Sequence, residues 1–397
     1  MDAAVAFPDI DFGVDDVPDF HARMDALRAQ GERVVPVRYL GQTAWLILRY
    51  EDVYKAYRDN ENFPCSEAYL RHSEPVQGRT LLCIEGDEHR VKRLLIAREF
   101  LPQKVAEYVD RLILPLADEL IDAFAGRDEV DLVAGYTRPL PLRLITRLMG
   151  IPDDNVEQLV AWVEGLFSFP TDPEGARRAK QEVTDYLLPM IHARRDHPRN
   201  DLLSLLANSE VEGQRLTDED ILSFARLIFP AGADTTYLTM GSMLNAVLSD
   251  PGLYKTLVEQ PELQPRAVEE SLRLFGTVAL QNRYTVTGCE LHGVRIPPHS
   301  WVLFGNAPAN HEPELHEDPH RFDLGREHHR LVTFGGGTHF CLGSHLARAT
   351  LRVGLSRLLA RLQGLRLAGP PVTPVGAILR GVRKLPATFD SILPAGV

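Results

Sequence analysis

From Leu216 to Leu248 apolar residues keep helical spacing over an unusually long stretch, and whatever the chain folds into must accommodate that element. Thr217 with Asp220 three residues later gives it a capping-box-like start, in which hydroxyl and carboxylate satisfy the free N–H groups of the first turn. Other stretches share the period. Leu112, Leu116, Leu120 and Phe124 recur every fourth residue, and 156–169, 175–193 and 265–275 read the same way. Strand-like alternation appears at about residues 30–50, where Val34 to Tyr39 and Ala44 to Leu48 flank a Gly41 turn. It returns over 283–304, punctuated by Gly288, Gly293 and Pro297-Pro298, and around Ala377–Leu379 and Ala387–Phe389. The expected class is mainly α with a minor β portion (α+β). No repeat or linker marks a boundary, so one domain over 1–397 is expected.

Charge and cysteine usage narrow the function classes. A formal net charge of -12 removes the electrostatic footprint of a nucleic-acid binder. Cys65, Cys83, Cys289 and Cys341 lack paired spacing, which suits a reducing cytosol rather than a disulfide scaffold. The start is acidic, and no stretch reaches the roughly 18 uncharged apolar residues of a membrane span. A soluble cytoplasmic protein, monomeric and without membrane contact, is the expectation.

The segment from Phe334 to Arg348 carries the chemistry. Gly335, Gly336 and Gly337 free the backbone for positive φ and for close approach to a flat object. Cys341 follows, and beyond Gly343 the residues Ser344 to Leu351 form a good helical run. Cys341 therefore lies just ahead of a helix N-terminus, where the dipole and free N–H groups favour a thiolate. Three readings compete. A buried free cysteine needs no packed glycines. A zinc site of His339, Cys341 and His345 lacks a fourth ligand nearby. A cysteine nucleophile paired with His339 leaves Phe334 and the glycines unexplained.

Phe334, Gly335, Gly337, Cys341 and Gly343 closely resemble the haem-binding signature of the cytochrome P450 family, and this implies that Cys341 is the axial thiolate ligand of a haem iron. Three further segments resemble family motifs in the right order. Glu270 and Arg273, three apart on one helix face, match the Glu-x-x-Arg pair, which implies a structural brace with Arg321 as the third member. On residues alone that pair is an ordinary surface ion pair.

Within the long helix, Pro230 removes a backbone donor and Gly232 weakens the helix further, so a kink is expected. A bent helix with a back-bonded threonine would account for this equally well. Ala231-Gly232-Ala233-Asp234-Thr235 resembles the family's oxygen-activation motif. The resemblance implies proton delivery by Asp234 and Thr235 during oxygen activation.

His89 and Arg93, four apart, read as a solvated basic face. They resemble the family residues that neutralise haem propionates, and Arg283 and His339 match two further partners. Leu331 departs from the pattern, since many bacterial members carry His there.

The implied cofactor is haem b, and the implied reaction inserts one atom of O2 into a small hydrophobic molecule. It draws two electrons from NAD(P)H, and the chain has no flavin fingerprint or iron–sulfur cysteine cluster to supply them. A ferredoxin with its reductase, or a flavodoxin, is expected, docking near Cys341 against Lys92, Arg348 and Arg352. The segments implied to line the pocket are 63–81, 166–171, 229–234, 277–280 and 377–378, mostly apolar. Arg71 or His72 could meet a substrate carboxylate there, although exposed loop charges are the commoner explanation. An atypical oxidation (aryl coupling, nitration, dehydrogenation) and a non-catalytic haem sensor remain open, as does a haem-free cysteine enzyme. The acid–alcohol pair speaks against the sensor.

Overall fold

The computed structural model describes all residues except 1–4, 153–155, 170–171, 328, 374–375 and 397. Helices dominate it, and small sheets draw on both ends of the chain. The long helix runs unbroken from Asp218 to Ser249. Its capping box is formed as the spacing predicts: the Asp220 N–H donates to Thr217 Oγ1 at 3.1 Å, and the Thr217 N–H to the Asp220 carboxylate at 3.0 Å. Buried residues occur on all its faces, including Ile221, Leu222, Phe224, Ile228, Phe229, Leu238, Met240 and Leu244. A helix apolar all round belongs inside a core, and this one packs against the helices Pro139–Met149, Pro173–Asp196 and Ser344–Arg361.

Gly232 is explained by that packing. A Cβ there would come within 3.0 Å of the Ile145 side chain, so glycine lets the helix Pro139–Met149 sit close. Pro230 does not end the helix, because neighbouring packing outweighs the one backbone bond it removes.

The main sheet has four strands in the order Val34–Tyr39, Gln42–Ile47, Trp301–Gly305, Leu280–Tyr284. The first pair is the expected hairpin, with Tyr39 opposite Gln42. Leu40 and Gly41 both adopt positive φ, 50° and 74°, as a two-residue turn of matching twist requires. The Asp11 carboxylate holds this turn by accepting the N–H groups of Leu40 at 2.7 Å and Gly41 at 2.6 Å. Of the C-terminal extended segments, Pro386–Thr388 is a strand paired with Glu129–Asp131, while Leu379 makes an isolated bridge to Val278. The expected 112–124 helix begins in a π-helical turn, Val109–Ile113, just ahead of Pro115, which cannot donate to a regular ladder.

Glu270 and Arg273 are fully buried and form two hydrogen bonds, of 2.8 and 2.7 Å. The third member of this network is Arg326, not Arg321. Arg326 Nε donates to Glu270 Oε1 at 3.0 Å, whereas the Arg321 side chain is exposed beside Asp318 and Asp323. Arg321 contributes its backbone carbonyl, which accepts from Arg273 and Arg326 at 3.3 and 3.1 Å. Motif position alone favoured Arg321, but its backbone turns the side chain outward and the chain returns five residues later with the arginine that fits.

Removing one partner of a buried ion pair strands the other charge. Arg326→Ala is expected to cost about 3 kcal/mol in denaturant unfolding. Arg321→Ala should stay within about 0.5 kcal/mol. Equal losses would return the role to Arg321.

Candidate functional site

The loop before Cys341 is anchored at both ends. At its start the Val332 N–H donates to Asn310 Oδ1 at 3.1 Å, and Thr333 Oγ1 donates to the Leu272 carbonyl at 2.7 Å. Across the loop the Cys341 N–H donates to the Phe334 carbonyl at 3.0 Å. Gly335 and Gly337 have φ of 70° and 66°, as expected for glycine. The close approach, however, is to protein: a Cβ on Gly337 would lie 2.2 Å from the Tyr57 carbonyl oxygen. The loop is thus pressed onto the end of the helix Tyr50–Ala56. Gly343 has open space where a Cβ would be.

Cys341 lies three residues ahead of the helix Ser344–Arg361. It is accessible although it sits deep in the molecule, so its thiol faces an internal space. Burial raises the thiol pKa, opposed by the Gly343 N–H and by Arg93 and Arg348. Ala231 is likewise exposed in mid-helix, between buried Pro230 and Ala233.

A cationic cluster gathers beside the loop. His89 and His339 stand with ring centroids 4.1 Å apart. His339 Nε2 meets the Glu85 carboxylate at 2.9 Å, and the Ser66 N–H donates to the same carboxylate at 3.0 Å. Burial works against a charged imidazole, but Cys65 and Glu85 outweigh it and push His339 up to about 9. Burial also works against ionised Glu85, but His339 and backbone donors hold it down to about 2. Burial, helped by His339 and Arg93, takes His89 down to about 4. His89 Nε2 and His339 Nδ1 are buried without a hydrogen-bond partner.

Arg283 is buried among Tyr57, Phe304, Cys65 and Tyr69 and donates to the Asn282 carbonyl at 2.8 Å. Among the described residues no carboxylate is within ion-pair distance of it. Arg93 Nη2 donates to the Phe340 carbonyl at 2.6 Å, one residue before the cysteine. Glu85 thus pairs with His339, while Arg93 and Arg283 have no carboxylate partner among the described residues and two imidazole nitrogens are unsatisfied. A buried guanidinium without a partner is costly, and an anionic ligand relieves that cost.

On the long helix Thr235 Oγ1 donates to the Ala231 carbonyl at 2.6 Å, the back-bonded arrangement. The Thr235 carbonyl is drawn aside by the Thr277 hydroxyl, at 2.9 Å, which also meets Thr239 Oγ1 at 2.8 Å. Burial raises Asp234 to about 6, with Arg138 opposing and Glu164 adding. It is a carboxyl poised to exchange a proton near neutrality.

Other expected residues lie elsewhere. Arg71 is bound to Glu67 at 2.6 Å and stacked on Tyr284, and His72 packs against Tyr39 and Trp301. Arg71 is thus already answered by a carboxylate, and both residues lie on the helix Cys65–His72 rather than on the exposed loop of the plainer expectation. Lys92 is held by Asp220 and Glu88. Arg348 is paired with Glu269 and lies over Phe334, while Arg352 is exposed. Thr171 falls outside the described residues. Glu85 was not anticipated, since a lone acid carries no spacing signal, and Thr277 was expected only as part of a pocket-lining segment, not as the partner of the Thr235 carbonyl.

The family model described as Cytochrome P450 matches residues 260–371. Cytochrome P450 107B1 of Saccharopolyspora erythraea is 33% identical, over 94% of this chain and 98% of its own. Cytochrome P450 monooxygenase PikC of Streptomyces venezuelae is 33% identical, over 97% and 94%. Among solved structures, myxobacterial cytochrome P450 CYP267B1 in complex with myristic acid superposes with a TM-score of 0.89 at 30% identity, over 97% and 100%. The chain belongs to the cytochrome P450 family, and it is an oxidoreductase of the monooxygenase type. The family carries a haem iron, and the buried Arg283 without a carboxylate partner, the orphaned nitrogens of His89 and His339, the accessible Cys341 and the open space at Gly343 fit such a group.

The raised pKa of Asp234 also sets a stability signature. A carboxyl whose folded pKa exceeds its unfolded value contributes fully below about 4, and the contribution is lost as pH rises through about 6. Asp234→Asn should therefore stabilise the protein at pH 7.5, by at most about 3 kcal/mol, and have little effect near pH 4. Equal effects at both pH values in thermal unfolding would show that the carboxyl is not destabilised by burial.

Proposed function

We propose that the protein binds haem b through Cys341 and inserts one oxygen atom from O2 into a small hydrophobic substrate, by hydroxylation, epoxidation or dealkylation. The observation that carries this reading is the buried Arg283 without a carboxylate partner, next to the orphaned nitrogens of His89 and His339. A haem offers two propionates and an iron needing a thiolate, which answers the cationic cluster and the inward thiol together. When bound, the haem iron supplies the activation of O2.

The chain's own residues do the rest. Arg93, Arg283, His89 and His339 would hold the propionates, and Phe334, Gly335 and Gly343 would shape the proximal face beside Cys341. Arg93 braces the Phe340 carbonyl and so holds the cysteine's backbone in place. Ala231 leaves room along the long helix. Asp234, titrating near 6, would pass protons inward, and Thr235 Oγ1, which donates to Ala231, keeps lone pairs free to accept one. Asp234 with Thr235 also favours turnover over a sensor role.

An apolar substrate would suit the mostly apolar segments 63–81, 229–234, 277–280 and 377–378, and the related CYP267B1 structure holds myristic acid. For electrons we favour a ferredoxin with its reductase, or a flavodoxin, fed by NAD(P)H. Exposed Arg352 and His345 on the helix after Cys341 would meet its acidic face, with Arg348 available once released from Glu269.

The deciding experiment is the absorption spectrum of purified protein reduced with dithionite under carbon monoxide. The long-wavelength Soret band of a thiolate-ligated ferrous haem is expected, and it should be lost in Cys341→Ser. A colourless protein, or a carbonyl band of the histidine-ligated kind, would remove Cys341 as the ligand. For the relay, Thr235→Ala should keep NAD(P)H consumption but divert it from product to peroxide. Full coupling in that variant would contradict the role given to Thr235.

A further inference from the structure

Away from the cofactor site, three imidazoles meet from distant parts of the chain. His21 lies on the N-terminal helix Phe20–Ala29, His311 follows the helical turn Asn306–Asn310, and His320 sits in the loop gripped by the Glu270 network. One donor atom from each lies within 4.8 Å of the other two. The ring centroids are 4.7 Å apart for His21–His311, 5.0 Å for His311–His320 and 6.0 Å for His21–His320.

The surroundings are those of a ligand set. His311 is 2% exposed, and its Nδ1 meets the Ala307 carbonyl at 2.7 Å, which leaves Nε2 available and fixes the ring. His320 Nε2 meets the Asp25 carboxylate at 2.7 Å, leaving Nδ1. A carbonyl or carboxylate behind the ring is the usual companion of a metal-binding histidine. Among the described residues the His21 ring has no hydrogen-bond partner.

Of the nearby cations, Arg380 opposes positive charge at His21 most and must be outweighed by the metal–imidazole bonds, while Arg28 and Arg273 are paired with carboxylates. Arg28 is bound to Asp25 and the Pro308 carbonyl, Arg273 to Glu270, and Arg380 donates to the carbonyls of Val17 and Gly376. Asp25 stands on the His320 side and adds negative charge.

We propose that His21, His311 and His320 form a three-imidazole site for a divalent transition-metal ion of the zinc type, with Asp25 behind His320. Imidazole suits zinc, copper and nickel, and among the described residues no thiolate or oxygen-rich cage joins the three rings to favour iron–sulfur or calcium chemistry. A tetrahedral zinc site needs nitrogens about 3.3 Å apart, so donor atoms that now lie within 4.8 Å of one another must close by up to about 1.5 Å. Half-exposed His320, on a loop, can make that movement. Bound metal would pin the N-terminal helix to the loop that Arg273 and Arg326 hold.

The test uses tag-free purified protein, stripped with a chelator, dialysed against Zn2+ and then against metal-free buffer, with zinc counted by elemental mass spectrometry. One equivalent is expected in the parent protein, with a Zn2+-dependent rise in Tm that chelator reverses. His320→Ala, which alters an exposed side chain, and His21→Gln should each lose the equivalent and the rise. An unchanged haem spectrum in both variants would show that they fold. Failure of the parent to retain zinc, or retention by the folded variants, overturns the site and marks the three rings as packing alone.

Discussion

Glu270 carries a full negative charge at a position with no exposure, and the segment leading to Cys341 hangs on that charge being answered. Two arginines and one backbone N–H converge on it, and the same arginines reach out to the carbonyls of residues 310, 317, 318, 319 and 321. A loop that lacks its own ladder is thereby given external partners for its backbone. Burial opposes the ionised form of Glu270, yet the guanidinium contacts win and hold its pKa low. Desolvation makes such a knot expensive to assemble and still more expensive to break. Its worth is therefore in fixing one path for the chain rather than in raw stability.

The cofactor region applies the opposite arrangement. Around Glu270 every charge is answered by protein, whereas around His339 and Arg283 positive charge is left in surplus. Asp234 adds a third case, a carboxyl held neutral-prone by burial on the long helix. One chain thus places ionisable groups in three environments, and each environment sets what the group can do.

Much of this was readable from residue spacing. The long helix, its Thr217–Asp220 cap and the hairpin at Gly41 follow from local periodicity and turn chemistry, which packing reinforced. The Cys341 loop and the Glu270–Arg273 brace were recognisable through their resemblance to family motifs, whereas on residues alone the pair read as a surface ion pair and its full burial left no local signal. What spacing could not supply was direction. Arg321 and Arg326 are both arginines in one irregular loop, and φ and ψ there decide which enters the core. Gly335 and Gly337 adopt the expected positive φ while Gly336 is extended, and their crowding partner, Tyr57, lies far away in sequence and leaves no local trace. The same holds for Thr277, which reaches the long helix from a separate segment.

That distant partner bears on how the molecule assembles. Gly337 rests on the backbone of Tyr57, the Tyr50 hydroxyl bonds the Arg330 carbonyl at 2.6 Å, and Asn60 meets Thr338 at 3.1 Å. Each contact closes most of the polypeptide into one loop, and such closures are entropically slow. The thiol-bearing segment can reach its final shape only after nearly the whole chain has been made and brought together. During synthesis the cysteine is thus an ordinary thiol on an unsupported strand of backbone. Capture of the prosthetic group becomes one of the last events of folding rather than a nucleus for it.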